Sequence, residues 1–140
     1  MQAECRELER KGWRVVIGGD LNVASKEIDG YPRLRTKPEQ HIRNREDFNR
    51  RFLEEGEGEG EEDGLGLSDS FRLLHPKRKK YTWLPRNVEW RESCDRIDYF
   101  LLSKELGHGK TVKEADVLMS EAERGPSDHV PIWVSLDVPD

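Results

Sequence analysis

Apolar positions along the chain come in short bursts between charged and glycine-rich stretches, and the period within each burst predicts an element. Residues 2–11 carry three Glu and two Arg with single Ala and Leu residues and stop at Gly12, the composition of a helix and its end. Trp13 to Ile17 reads WRVVI, aromatic and β-branched with only Arg14 polar, which predicts a buried strand stopping at Gly18-Gly19. So apolar a strand expects neighbours on both sides: either downstream strands flank it or the chain is a piece of something larger.

From Ser25 to Gln40 the pattern is broken by Gly30, Pro32 and Pro38, predicting a loop with at most a helical turn. Phe48, Phe52 and Leu53 then form one face of a helix over Arg45 to Glu55, with Arg50 and Arg51 on its polar side and a stop at Gly56. EGEGEGEEDG has nothing to bury and reads as a mobile acidic insertion at about 54–64. Leu65 to Leu74 carries Leu67, Phe71, Leu73 and Leu74, whose period leaves strand and helical turn open. Tyr81 to Leu84 predicts a strand, closed by a turn at Pro85 and Asn87. In Asp95 to Leu102, Ile97, Tyr99 and Leu101 alternate with Arg96, Asp98 and Phe100, so Asp98 need not share a face with the most apolar side chains. Val112 to Met119 and Pro131 to Val138 complete the strands. The order predicts an α/β fold over residues 1–140, one layer of helices against a mixed β-sheet.

At 140 residues the chain suits one domain and one core, burying roughly two thirds of its extended surface. Its formal charge of -5 argues against a polyanion partner until its source is located. Glu54 to Asp63 holds seven acids and no base, so the rest sums to about +2, and Arg33 to Arg51 holds seven Arg or Lys against three acids. Lys77 to Lys80 adds a second basic run, and both runs suit polyanions or merely a solvated surface. Cys5 and Cys94 lack metal-ligand spacing, and a disulfide scaffold is not expected, which favours a reducing compartment: nucleus, mitochondrion or cytoplasm. No stretch reaches the length of a membrane span.

Three polar clusters sit at strand boundaries: Asp20 with Asn22, Asp98, and Asp128 with His129. Asp20 and Asn22 also suit an Asx turn, and Ser127-Asp128 a plain turn. Asp98 says more, because an Asp in an apolar strand is costly unless paired. Gathered by a sheet, these groups offer oxygen ligands for a hard divalent cation and a histidine for phosphate chemistry. No P-loop or zinc spacing occurs.

The segments GDLN (19–22), ASKEID (24–29), LSDSFRLLHP (67–76), YTW (81–83), RIDYFLLS (96–103) and SDHVPI (127–132) resemble the carboxyl-terminal half of the exonuclease III type abasic-site endonucleases, in the endonuclease/exonuclease/phosphatase superfamily. GDLN and SDH mark only the superfamily; NVASKEID, LSDSFR and RIDYFLLS are particular to the abasic-site branch. The resemblance implies half of a four-layered α/β sandwich that uses magnesium, or manganese, to cut duplex DNA 5' of abasic sites. It gives Asp20 the role of orienting or deprotonating water, Asn22 and His129 contacts to phosphate, Asp98 the orientation of His129, and Asp128 with Asp20 the metal. Trp83 and Ile97 fall at the walls of the flipped-out sugar, and Arg45 at the start of a helix near the DNA. The family's metal-binding glutamate and phosphate-contacting tyrosine fall upstream of the equivalent of Met1, and Asp95 stands where the sugar pocket is usually apolar. Three other readings follow: a 3' exonuclease, 3' phosphatase or RNA-directed nuclease; a non-catalytic nucleic-acid-binding fragment, acting as a homodimer or with an upstream complementing half; and a truncated gene model.

Overall fold

A computed structural model describes all 140 residues. Helix α1 (Gln2–Arg10) ends at Lys11, followed by Gly12 at φ 84°, the left-handed stop the sequence predicts. Strand β1 (Val16–Asp20) begins three residues later than expected and runs through both glycines, so Asp20 closes the strand instead of opening the next loop. Gly18 stands opposite Phe100, whose ring would come within 2.7 Å of an added Cβ, and Gly19 takes φ 135°, closed to L side chains. The expected burial holds for Val15 alone. Trp13 is 65% exposed and Val16 lies open, because β1 is an edge strand with a single hydrogen-bonded neighbour.

A 3-10 turn at Glu27–Asp29 leads into β2 (Gly30–Tyr31). Helix α2 (Gln40–Phe48) starts earlier than predicted and continues as a π-helical turn over Asn49–Leu53, ending where Glu54 turns extended. Phe48 stacks on Phe52 and tilts against Tyr99, ring centroids 5.8 and 5.5 Å apart, which docks α2 on the sheet. The acidic stretch folds back onto α1 and α2: Arg6 donates to the carbonyls of Glu59 and Asp63, and Arg50 pairs with Glu62 at 2.6 Å.

Leu65 to Leu74 proves to be both alternatives. β3 (Ser68–Asp69) passes directly into α3 (Ser70–Leu74), with the Asp69 side chain accepting from Arg72 N at 3.3 Å as its N-cap. The stretch expected as one strand is divided into β4 (Cys94–Asp95) and β5 (Asp98–Leu102) by Arg96 and Ile97. β6 (Val112–Val117), α4 (Glu121–Arg124) and β7 (Ile132–Leu136) complete the chain. Tyr81 to Leu84 is not a ladder strand; Trp83 makes single bridges to Asp95 and to His129.

The predicted single mixed sheet is corrected to three ladders, β1–β5–β3, β2–β4 and β6–β7, and every pair is antiparallel. No connection forms the helical crossover that a parallel pair requires. Cys5, Val15, Phe48, Leu67, Tyr99 and Leu101 form the core between the helices α1 and α2 and the three-stranded ladder. Phe71, Tyr81, Leu84, Cys94 and Val117 form a second cluster among α3, β4 and β6, and Leu102 packs with Leu106 and Val112.

Between these clusters lies a buried group of four charges. Arg96 is 1% exposed and Asp29 0%. Arg96 Nε donates to Asp29 Oδ1 at 2.8 Å, its Nη1 to Asp69 Oδ1 at 3.1 Å and its Nη2 to Asp69 Oδ2, while Arg72 Nη2 reaches Asp29 Oδ1 at 2.5 Å. Two cations and two anions cancel. Burial alone would lower the Arg96 pKa, but Asp69 and Asp29 outweigh it and raise the value, holding the guanidinium charged. The same guanidinium lies 4.8 and 5.2 Å from the ring centres of Tyr99 and Phe71, tying both cores to it.

Replacing Arg96 by Ala leaves two buried carboxylates facing one arginine, and a loss of about 3–5 kcal/mol in denaturant unfolding is expected. A loss below about 1 kcal/mol would refute that role. Burial pushes the Cys94 thiol from 9.0 up to about 11, so the folded state holds a proton that the unfolded chain releases first. Stability should therefore be full below pH 9.0 and decline towards about pH 11, with a smaller decline in Cys94→Ala.

Candidate active site

The antiparallel register of β1 and β5 sets Asp20 directly opposite Asp98 at the end of the ladder. Facing carboxylates repel, so this arrangement needs a positive group between them. The imidazole of His129 lies against both. Its Nδ1 lies 2.8 Å from Asp98 Oδ2, its Nε2 lies 3.8 Å from Asp20 Oδ2, and a third carboxylate, Asp128, has Oδ1 3.8 Å from the same Nε2.

Each member is held by backbone chemistry that can be traced. Leu21 N donates to Ile97 O at 3.0 Å, and Ile97 N and Asp98 N both donate to the Thr82 hydroxyl, at 2.9 and 3.1 Å, fixing the entry to β5. Asp20 Oδ1 accepts from Asn22 N at 2.8 Å, an Asx turn, and Asn22 takes φ 54°, a conformation that asparagine tolerates better than most residues. His129 is placed by a rung on each side of Trp83: Leu84 N donates to Asp128 O at 2.8 Å and Val130 N to Thr82 O at 2.9 Å. Trp83 Nε1 donates to Asp128 Oδ2 at 3.1 Å. Thus the turn readings of Asp20 and Asn22 are correct as local geometry, and the same turn brings them to the cluster.

A cleft of about 290 Å³ opens over this group and is lined by Asp20, Asn22, Trp83, Ile97, His129 and Arg45, among others. Asp98 sits behind His129 and Asp128 beside it. All eight residues singled out from the sequence therefore meet at or directly behind one cleft. Sequence reasoning missed Arg35, His41 and Asn44, which line the same cleft. Arg35 had a signal. Asp95, flagged as anomalous in an apolar pocket, is 5% exposed, and a buried carboxylate demands a partner. Arg35 Nε provides it at 2.6 Å.

Ligand atoms of Asp20, Asp98 and His129 all lie within 4.8 Å of one another, a group compatible with a divalent metal. The donor set decides which kind. Nδ1 of His129 and a carboxylate oxygen of Asp98 are spent on each other, leaving Asp20, Asp128 and the Asn22 amide as oxygen donors. Asp20 and Asp128 side chains are 48% and 53% exposed. Few carboxylates in an open, wet setting fit magnesium or manganese, which keep water and substrate oxygens as ligands. They do not fit a closed zinc site. The arrangement can also bind a phosphate oxygen at Asn22 and His129 and accept a proton at Asp20.

The 2.8 Å contact predicts that the neutral His129 ring carries its proton on Nδ1, directed at Asp98. Long-range 15N–1H spectra should show that tautomer and its erosion in Asp98→Ala; a ring protonated on Nε2 would refute the assignment.

No protein-family model matches the chain. A curated exodeoxyribonuclease of Bacillus subtilis is 32% identical over 142 residues, covering 94% of this chain and 48% of that protein. The catalytic domain of Xenopus laevis APE2 superposes with a TM-score of 0.72 at 24% identity, over 96% of this chain and 40% of the other. The 3' phosphatase NExo from Neisseria, bound to a product DNA hairpin, gives 0.65 at 25% identity, over 98% and 50%. The chain spans about half the length of the curated relative it matches.

Proposed function

We propose, from the chain's membership of the exonuclease III type endonuclease/exonuclease/phosphatase superfamily and its correspondence to only part of those larger domains, that it hydrolyses phosphate esters of DNA with magnesium. The observation that carries this reading is the convergence of Asp20, Asp98, Asp128 and His129 at the end of the β1–β5 ladder.

In this reading the scissile phosphate sits between Asn22 and His129. The Asn22 amide donates to a non-bridging oxygen, and Nε2 of His129 faces the charge that develops during attack. Asp98 holds the ring by its Nδ1 and fixes its orientation. The Asp20 carboxylate orients water and takes its proton. Asp128, fixed by the Trp83 indole, and Asp20 would hold the ion. When bound, magnesium supplies Lewis-acid polarisation of the phosphate and neutralisation of its charge. The chain contributes about half of the centre, and a preceding half or a second copy contributes the rest. Duplex DNA is the partner, and incision 5' of an abasic site is the reaction the branch-particular segments favour. A second reading, release of a 3'-terminal phosphate or nucleotide, is favoured by the charged wall at Asp95 and by likeness to a 3' phosphatase.

The test is magnesium-dependent incision of a duplex carrying one abasic-site analogue, beside duplexes with undamaged and 3'-phosphate ends. Asp20→Asn and His129→Ala should each lower the rate about 10²–10⁴-fold, and chelation should abolish it. Asp98→Ala should cost less, about 10–100-fold, because it acts through the ring. Undiminished hydrolysis by Asp20→Asn would refute its role, and absence of any hydrolysis by the folded chain would favour a binding module.

A further inference from the structure

One wall of the cleft carries charge where the active-site reading needs none. Arg35 Nε donates to Asp95 Oδ2 at 2.6 Å, its Nη2 donates to Ser93 Oγ at 2.9 Å, and its guanidinium carbon lies 4.8 Å from the centre of the Trp83 ring. Arg45 steadies the same segment, donating from Nη2 to Arg35 O at 2.9 Å and from Nε to Ala24 O at 2.8 Å. Nη1 of Arg35 and Nη1 of Arg45 make no hydrogen bond within the chain, and both residues line the cleft. Two arginines against Asp95 leave this wall with a net charge of +1.

Such a wall suits some ligands and penalises others. A neutral deoxyribose packed on Trp83 and Ile97 would strip water from the Arg35 head and return no charge, an uncompensated desolvation. A phosphate oxygen in that place exchanges the water for a charge-assisted hydrogen bond. Arg35 is already fixed by Asp95, Ser93 and Trp83, so little side-chain freedom is lost on binding. The kind of phosphate is also constrained. An internal diester has two non-bridging oxygens and a single charge, whereas a terminal monoester has three and carries nearly two charges. A monoester that turns one oxygen toward Asn22 and His129 keeps two for the arginine wall lining the same cleft, whereas a diester keeps one.

We infer that Arg35 is a specificity-determining residue that selects a DNA end bearing a terminal phosphomonoester over an abasic sugar in a continuous strand. Asp95 is its positioning residue. The inference rests on the phosphate-ester reading of the site and narrows its substrate.

The test measures binding with calcium in place of magnesium, so that failure of hydrolysis and failure of selection are separate results. Four labelled duplexes are compared by fluorescence anisotropy at one salt concentration: nicked with a 3'-phosphate, nicked with a 5'-phosphate, nicked with neither, and continuous with an abasic analogue. One phosphate-ended duplex should bind roughly 10–100-fold tighter than the last two, and which one does so identifies the end recognised. Arg35→Gln should abolish that preference while leaving binding to the unphosphorylated nick. Arg35→Leu combined with Asp95→Leu should do the same without an unpaired buried carboxylate, and decides the matter if the single variant unfolds. Equal binding of all four duplexes, tightest binding of the abasic duplex, or a phosphate preference that survives in the folded double variant would overturn the inference.

Discussion

Arg96 is a full charge inside a small protein, and the path of the chain around the site depends on how that charge is satisfied. It takes carboxylates from two distant segments: Asp29 from the turn before β2, and Asp69 from the junction of β3 and α3. Arg72 then closes the group by pairing with Asp29. Each segment is thereby pinned to the residue that immediately precedes Ile97 and Asp98. The Arg96 carbonyl also shares the proton of the Tyr99 hydroxyl with Val23 O, and that hydroxyl accepts from Ser25 N, so the loop following Asp20 and Asn22 is tied to the same point. A neutral substitute of equal volume would fill the space without imposing this register. Arg96 stands two residues before Asp98, the carboxylate 2.8 Å from His129 Nδ1, so its directionality passes into the geometry of the candidate site.

Three segments quoted from the sequence supply this network. ASKEID contributes Asp29, LSDSFR contributes Asp69 and Arg72, and RIDYFLLS contributes Arg96. None of these four touches the cleft. They bind the segments together beneath it, whereas GDLN and SDH provide Asp20, Asn22, Asp128 and His129, and RIDYFLLS adds Ile97 and Asp98 beside its arginine. The buried network thus fixes how these loops are arranged around the candidate site.

Much of this was legible in the sequence. Helix α1, its glycine stop, the helical face with Phe48 and Phe52, and β5, β6 and β7 followed from period and composition. The eight residues singled out lie at or behind one cleft, and alternation in β5 points Asp98 away from Tyr99 and Leu101. Three things were not legible. Strand β1 was misplaced because WRVVI is apolar enough to suggest burial, whereas the pairing continues through two glycines selected by Phe100 and by backbone conformation. The mixed sheet was wrong because period reveals strands but not their direction. Arg96 was assigned to the polar face by alternation, since period cannot show that two acids from elsewhere will neutralise it. The same limit hid Arg35, whose partner Asp95 lies 60 residues away. Long-range ion pairs leave no periodic trace.

The converging Asp20, Asp98, Asp128 and His129 make the end of the β1–β5 ladder the candidate site for a divalent cation, and the competing location is the acidic stretch 54–63. Manganese paramagnetic broadening in NMR spectra of the folded chain distinguishes them, because the effect falls steeply with distance from the ion. At low manganese the signals of Asp20, Asn22, Asp128 and His129 should broaden first and recover on adding magnesium. Broadening confined to Glu54 to Asp63, with the end of the β1–β5 ladder untouched, would contradict the account.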